Sequence, residues 1–249
     1  MTIIRAPEIN LPGLSWFNSR TPLGLDELKG RLVILDFWTF CCINCIQIIP
    51  TLKRIEHAFP DEVVVIGVHS PKFAAEHDSA NVAEAIARYE IEHPVVHDPE
   101  FAIWQSYTVR AWPTLMFVGP EGDLLGQTSG EPDPDRIFDA ISGMLADYRS
   151  RGVMSPVPPD FPPAPAPAGR LSWPGKIKPL PASSGQQWAI ADGGHHQIVL
   201  IDQDGQEMQR IGDGNSGFTD GNLAEARFCQ PQGLTCLENR IFVADTANH

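Results

Sequence analysis

Apolar positions fall along this chain in two rhythms, and the change between them divides it. In the first half, long apolar runs alternate with segments of helical spacing. Leu32-Val33-Ile34-Leu35-Asp36-Phe37-Trp38 is almost unbroken, the pattern of a strand covered on both faces in a mostly parallel sheet, with Asp36 the one acid in it. After Cys45, Ile46, Ile49, Leu52, Ile55 and Phe59 recur at helical spacing, and Pro50 within that stretch predicts a kink, not an end. Val63-Val64-Val65-Ile66-Gly67-Val68 reads as a second buried strand, and Val82, Ala85, Ile86 and Tyr89 mark an amphipathic helix from Asn81 to Tyr89. Strand, helix and strand in that order form a βαβ unit, for which a right-handed crossover is expected. Thr114 to Val118, a turn at Gly119-Pro120-Glu121-Gly122-Asp123, and Leu124 to Gln127 read as an antiparallel hairpin. Asp133 caps a last helix, with Pro134 in its first turn and Ile137, Ile141 and Leu145 on its inner face.

Beyond Ser155 the rhythm changes. Prolines at positions 156, 158, 159, 162, 163, 165 and 167 stand among small residues, the composition of a semi-rigid linker of polyproline type. Then the residues repeat. Ile190-Ala191-Asp192-Gly193-Gly194-His195-His196 is echoed by Val243-Ala244-Asp245-Thr246-Ala247-Asn248-His249, with Asp192 and Asp245 in the same place. Between the copies lie Ile198 to Ile201 and Met208 to Ile211, short strands spaced by turns, the layout of propeller blades. About one and a half blades are present, and a blade cannot cover its own apolar faces, so a longer parent chain is expected. The expected organisation is an α/β domain over 1–150, a linker over 151–169 and an all-β partial propeller over 170–249.

Charge narrows the range of functions. Acidic residues number 31 against 18 basic ones, a formal charge of −13, which argues against a nucleic-acid or anionic-membrane partner. There is no apolar run of membrane length, and the chain reaches Pro7 and Glu8 too soon to hold the apolar core of an export signal. A cytoplasmic location is therefore expected. There the five cysteines are mostly reduced, and a close pair suits transient, catalytic disulfide chemistry.

Cys42 and Cys45 form such a pair. They are spaced i to i+3, and the first falls where strand gives way to helix. On a first helical turn the two sulfurs share one side, and a bond between them needs a Cα separation of only about 5.5 Å. Cys42 is also expected to face unpaired N–H groups and the positive end of the helix dipole, which favour thiolate over thiol. The roles that follow are attack on a partner disulfide by Cys42 and release of the mixed disulfide by Cys45, deeper in the helix. Asp36, an acid in a buried strand, is expected to have a raised pKa and to exchange protons with Cys45, unless it is a solvated carboxylate at the strand's end. Zinc would need two more ligands nearby. Cys229 and Cys236 lie across the linker at an unsuitable spacing and read as packing residues, while His195, His196 and His249 read as turn residues. No metal and no cofactor are implied.

The segment Asp36-Phe37-Trp38-Thr39-Phe40-Cys41-Cys42-Ile43-Asn44-Cys45, followed by Pro50, resembles the active-site segment of thioredoxins. Val109-Arg110-Ala111-Trp112-Pro113-Thr114-Leu115 resembles that family's loop bearing a cis-proline opposite the cysteines, with Pro113 in its place. The stretch from Phe73 to Tyr107, including His97-Asp98-Pro99, is similar to the insertion of the TlpA-like branch. The resemblance covers residues 7 to 148 and implies a thioredoxin fold acting in thiol–disulfide exchange. It implies that Pro113 exposes the backbone of Trp112 to a substrate strand, with Trp38, Trp112 and Thr114 shaping the substrate surface. Trp38 also fits simple core packing.

Two positions depart from the family, and a third feature suggests another chemistry. Ile43 and Asn44 replace the usual Gly-Pro between the cysteines, which leaves the direction of electron flow open. Cys41 replaces the usual tryptophan and is either a small hydrophobe or an extra thiol able to trap a sulfenic acid. Thr39-Phe40-Cys41-Cys42 fits the T-x-x-C of peroxiredoxins, but Leu35 stands where their proline is expected, so a thiol peroxidase is a minor alternative.

In the second half, Gly212-Asp213-Gly214, Asp220-Gly221, Ala226-Arg227-Phe228, Pro231-Gln232-Gly233-Leu234 and Ala244-Asp245-Thr246-Ala247-Asn248-His249 resemble NHL repeats. That family's propellers are taken as protein-binding platforms. The resulting expectation is a thiol–disulfide oxidoreductase acting on a protein disulfide or dithiol, with a protein partner held at the propeller. The rival is an interaction scaffold whose cysteines are idle.

Overall fold

The computed structural model describes residues 4–155, 161–162, 169–181 and 186–248. The chain divides into two compact units, Met1–Pro165 and Ala166–His249. Of the linker expected over 151–169, residues 156–160 and 163–168 lie outside the described residues, as does His249 of the second echo.

The first unit is built on a six-stranded mixed sheet. Its strands are β1 (Ser15–Phe17), β2 (Leu32–Trp38), β3 (Val63–His69), β4 (Val95–His97), β5 (Thr114–Val118) and β6 (Leu124–Ser129), in the spatial order β1-β4-β3-β2-β5-β6. β2, β3 and β4 run parallel, while β1, β5 and β6 join antiparallel at the two sides. Among the described residues, four α-helices accompany them: α1 (Ile43–Ala58), α2 (Ser79–Arg88), α3 (Ala102–Ser106) and α4 (Pro134–Arg151).

The nearly unbroken apolar run of β2 has a direct cause, because both of its faces are covered. Val33, Leu35 and Phe37 point into one core with Val64, Ile66 and Val68 of β3 and with Ile9, Leu25, Ile103 and Tyr107. Leu32 and Ile34 point the other way, against Ile48, Leu52 and Ile55 of α1 and Ile137, Ile141 and Leu145 of α4. Trp38, further along that second face, packs with Cys45 and Ile49 of α1 and Val82, Ala85 and Ile86 of α2. Side chains alternate along a strand, so Asp36 belongs to the face that α1 covers. Each of its apolar neighbours in β2 gains about 1.5–3 kcal/mol from burial, enough to carry one carboxyl into the interior with them.

The helix limits follow local chemistry. Asp133 accepts from the N–H groups of Asp135 (3.1 Å) and Arg136 (2.9 Å) at the start of α4, and Gly152 ends that helix in the left-handed region at φ 69°. Asp98, fully buried, accepts from the N–H groups of Ile103 (3.2 Å) and Trp104 (2.9 Å), so the His97-Asp98-Pro99 segment holds α3 in place. Pro50 lies within α1 without ending it. The short strands β1 and β4 and the five-residue α3 leave no periodic signal in the sequence and were not expected.

The second unit is all β. β7 (Pro174–Pro179), β8 (Trp188–Asp192), β9 (Gln197–Ile201) and β10 (Glu207–Ile211) form one antiparallel sheet, ordered β10-β9-β8-β7. β11 (Pro231–Leu237) and β12 (Arg240–Asp245) form a separate hairpin. Ala189, Ala191, Ile198 and Leu234 make its buried centre, with Cys236 packed at the margin. An α/β unit is thus followed by an all-β segment, the fold class expected.

The echoed residues do the same job in both copies. Asp192 closes β8, accepts from the N–H of Ser172 at 2.7 Å with one oxygen and meets His195 Nδ1 at 2.7 Å with the other. Asp245 closes β12, accepts from the N–H of Cys229 at 2.7 Å and from Asn248 Nδ2 at 2.6 Å. In each copy a carboxylate joins a distant backbone N–H to the side chain three residues on, so the repeat encodes a structural pin. The turn between the copies is pinned by Arg227 Nε donating to Asp213 at 2.7 Å.

Candidate functional site

The cysteine loop leaves the end of β2 and enters α1. Cys42 is the N-cap of α1, in extended conformation at φ −108° and ψ 108°, and its side chain makes no capping bond. The turn is closed by the N–H of Cys42 on the carbonyl of Thr39 (3.2 Å) and by the N–H groups of Cys45 and Ile46 on the carbonyl of Cys42 (3.0 and 3.1 Å). Exposure falls steeply along the loop: Cys41 is exposed, Cys42 half-buried and Cys45 fully buried. All three are free thiols. Cys42 packs against the buried cluster that contains Cys45. Burial pushes the Cys45 thiol well above its ordinary range, Cys42 adds to this, and the nearby Asp36 acts in the same direction against a backbone bond from Thr39. Reduced Cys45 therefore keeps its proton until chemistry removes it.

Asp36 is 2% exposed, and its Oδ1 has no partner among the described residues. Burial raises its pKa to about 7; His93 opposes the rise and Glu56 adds to it. His93 and Glu56 face one another at 3.2 Å, so the groups around Asp36 include one pair that can share charge. The carboxyl lies on the α1 side of the sheet, the side that carries Cys45.

The opposite wall comes from the segment before β5. The Trp112–Pro113 peptide is cis. Phe37 pairs with Thr114, and continuing that antiparallel register sets Pro113 abreast of Trp38, four residues before Cys42. Trp112 packs at the edge of the same cluster as Cys45, beside Cys42 and Phe40, and donates from Nε1 to the carbonyl of Ser70 at 3.1 Å. Thr114 is buried, with its hydroxyl on the carbonyl of Ala111 and beside Ser129, both at 2.8 Å. Trp38 is also buried, edge-on to His69 at 5.1 Å. Neither Trp38 nor Thr114 has side-chain surface to offer a substrate: Trp38 supports the loop from beneath, while Trp112 and Phe40 are half-buried.

A family model described as thioredoxin-like matches residues 30–124, the stretch that runs from the approach to β2 into β6. The N-terminal unit has the thioredoxin fold. A solved thioredoxin-like superfamily protein is similar to it, with 26% identity and a TM-score of 0.53 over 57% of this chain and 96% of that one. Relatives also extend across both units. NHL repeat-containing protein 2 of Gallus gallus is 39% identical over 259 residues, covering 98% of this chain and 35% of that protein. SUPPRESSOR OF QUENCHING 1, a chloroplastic protein of Arabidopsis thaliana, is 36% identical over 246 residues, covering 95% of this chain and 23% of that protein. The chain thus spans about a third or less of these relatives' length.

Within the thioredoxin-like domain, two buried residues near the loop left no readable signal in the sequence. His69 ends β3 with both ring nitrogens unpartnered among the described residues, stacked on Phe40 at 5.4 Å; burial, then His97, lowers its pKa to about 3, which leaves it neutral. Glu76, on a single helical turn (Ala74–His77), is fully buried and bonded to the loop. Each sits in a short polar stretch that reads as solvated surface. No group of three or more His, Cys, Asp and Glu suited to a metal occurs among the described residues, and none of their helices is long and apolar enough to cross a membrane.

Proposed function

We propose that the thioredoxin-like domain exchanges thiols and disulfides with a protein partner through Cys42 and Cys45. The observation that carries this reading is the placement of a half-buried cysteine at the positively polarised start of α1, packed against the cluster that holds a buried, protonated one three residues on. A thiolate on Cys42 attacks one sulfur of the partner's disulfide, forming a mixed disulfide and expelling the partner's first thiolate, which takes a proton from solvent. Cys45 then gives its proton to the carboxylate of Asp36, directly or through one water, and attacks Cys42. That step forms the Cys42–Cys45 bond and releases the partner's second thiolate. Two electrons pass from the dithiol to the partner, and the reverse sequence oxidises a partner dithiol. A carboxyl with a pKa near neutrality can both accept and return that proton. Pro113 and the backbone of Trp112 supply the wall along which an extended partner segment lies. The similarity of the whole chain to NHL repeat-containing proteins supports reading the second unit as the start of a propeller that recruits the partner.

A redox titration against glutathione tests the reading, with Cys42→Ser as control. A Cys42–Cys45 disulfide should form in a single two-electron step, and Cys45→Ser should accumulate a mixed disulfide on Cys42. Absence of the intramolecular disulfide at every potential would leave the domain an interaction scaffold.

A further inference from the structure

Four donors converge on one buried carboxylate beside the cysteine loop. Oε1 of Glu76 accepts from the hydroxyl of Thr39 and from the N–H of Cys41 at 3.0 Å. Oε2 accepts from the N–H groups of Lys72 at 2.6 Å and Phe73 at 2.8 Å. The carbonyl of Glu76 also meets His97 Nε2 at 3.1 Å, which ties the turn that carries it to the end of β4. Burial disfavours the charged form of Glu76, but the hydrogen bonds from Thr39, Lys72, Cys41 and Phe73 outweigh it and hold the carboxyl below its usual range. A permanent negative charge is therefore built in against the residue that precedes the nucleophile.

That charge matters because the loop presents two adjacent thiols, and accessibility favours the wrong one. Cys41 is exposed and Cys42 half-buried, so contact with solvent alone would let Cys41 react first. Cys41 lies outside α1, whereas Cys42 packs against the cluster that holds Cys45. A mixed disulfide on Cys41 would thus have to be resolved through a strained bond between adjacent residues instead of by Cys45. Partial desolvation, then the charge of Glu76 and a hydrogen bond to its carboxylate, raise the Cys41 thiol above its ordinary value, while Lys72 acts weakly in the other direction. We propose that Glu76 is a positioning residue that selects between the two thiols, fixing the loop through Thr39 and Cys41 and keeping Cys41 silent so that exchange begins at Cys42. This rests on the oxidoreductase reading of the Cys42 and Cys45 pair.

Competitive alkylation tests it on the reduced full chain. Limiting iodoacetamide is applied between about pH 6 and pH 10, and fragment-ion mass spectrometry assigns the label to Cys41 or Cys42. In the wild type Cys42 should be labelled ahead of Cys41. In Glu76→Gln the titration curve of Cys41 should move to lower pH, with about tenfold faster labelling below its midpoint for each pH unit moved. A purely structural Glu76 would change labelling of both thiols together without moving that curve. If the glutamine variant does not fold, Glu76→Asp keeps the charge but withdraws it by one methylene, and a smaller shift in the same direction is expected. An unmoved Cys41 curve in the variant that folds, or Cys41 outrunning Cys42 in the wild type, overturns the proposal. Alkylation needs no partner disulfide, so failure of the glutathione titration would sink the oxidoreductase reading separately and leave this result to be judged by itself.

Discussion

Replacing Asp36 with asparagine removes a charge from the interior without removing its volume, and the consequence depends on pH with a calculable sign. The folded-state pKa is about 7 against an ordinary value of 3.8. Because the folded value is raised, the stability contributed by the protonated carboxyl is fully present below about pH 4 and is lost as pH rises through about 7. The gap is roughly three units at about 1.4 kcal/mol each, so the wild type loses at most about 4 kcal/mol between pH 4 and pH 8 from this group. Water reaching the carboxyl would reduce that figure. Asp36→Asn has no such proton to lose. Its own baseline includes whatever the buried amide costs, but that cost does not vary with pH, and the other titrating groups are common to both proteins. The measurement is urea unfolding of both proteins under reducing conditions at several pH values between about 4 and 8. The stability difference between variant and wild type should swing toward the variant by up to about 4 kcal/mol across that range. Parallel pH profiles, with the difference constant to within about 0.5 kcal/mol, would show that Asp36 is ionised when folded and would refute the desolvation argument. The same variant should slow closure of the Cys42–Cys45 disulfide by about 10²-fold or more, the usual worth of a positioned proton acceptor.

Three further substitutions probe what holds the site and the second unit. A Cβ at Gly67 would stand 2.9 Å from Trp38 Nε1 and 3.0 Å from Val95 Cγ2, so Gly67→Ala should cost about 1–3 kcal/mol and shift the Trp38 fluorescence, as measured by urea unfolding and emission spectra. Asp192 is fully buried and also accepts from Arg210 at 3.1 Å, whereas Asp245 is half-buried with two donors. Asp192→Ala should therefore destabilise the second unit by about 3 kcal/mol and Asp245→Ala by about 1–2 kcal/mol; equal losses in urea unfolding would argue against burial as the deciding factor.

The sequence alone determined the elements whose signal is local. An apolar run of seven residues specifies a strand wherever it folds, helical spacing after Cys45 specifies α1, and Asp133-Pro134 specifies how α4 begins. The i to i+3 cysteines at the strand-to-helix boundary were legible for the same reason, since one helical turn suffices to bring them together. The echo of Asp192 in Asp245 announced a repeated element, though its meaning as a pin to a distant N–H required the fold. Tertiary structure decided everything that depends on what covers what. β1, β4 and α3 are too short to carry a period and exist because the neighbouring strand and core accept them. The burial of Trp38, the Asp36 Oδ1 that has no partner among the described residues and the neutral ring of His69 arise where α1 and α2 close over the sheet. Glu76 is the clearest case. In the sequence it is one acid in a polar stretch; in the fold, donors from two separate segments meet on its carboxylate, because burial of that turn leaves the charge no other partners.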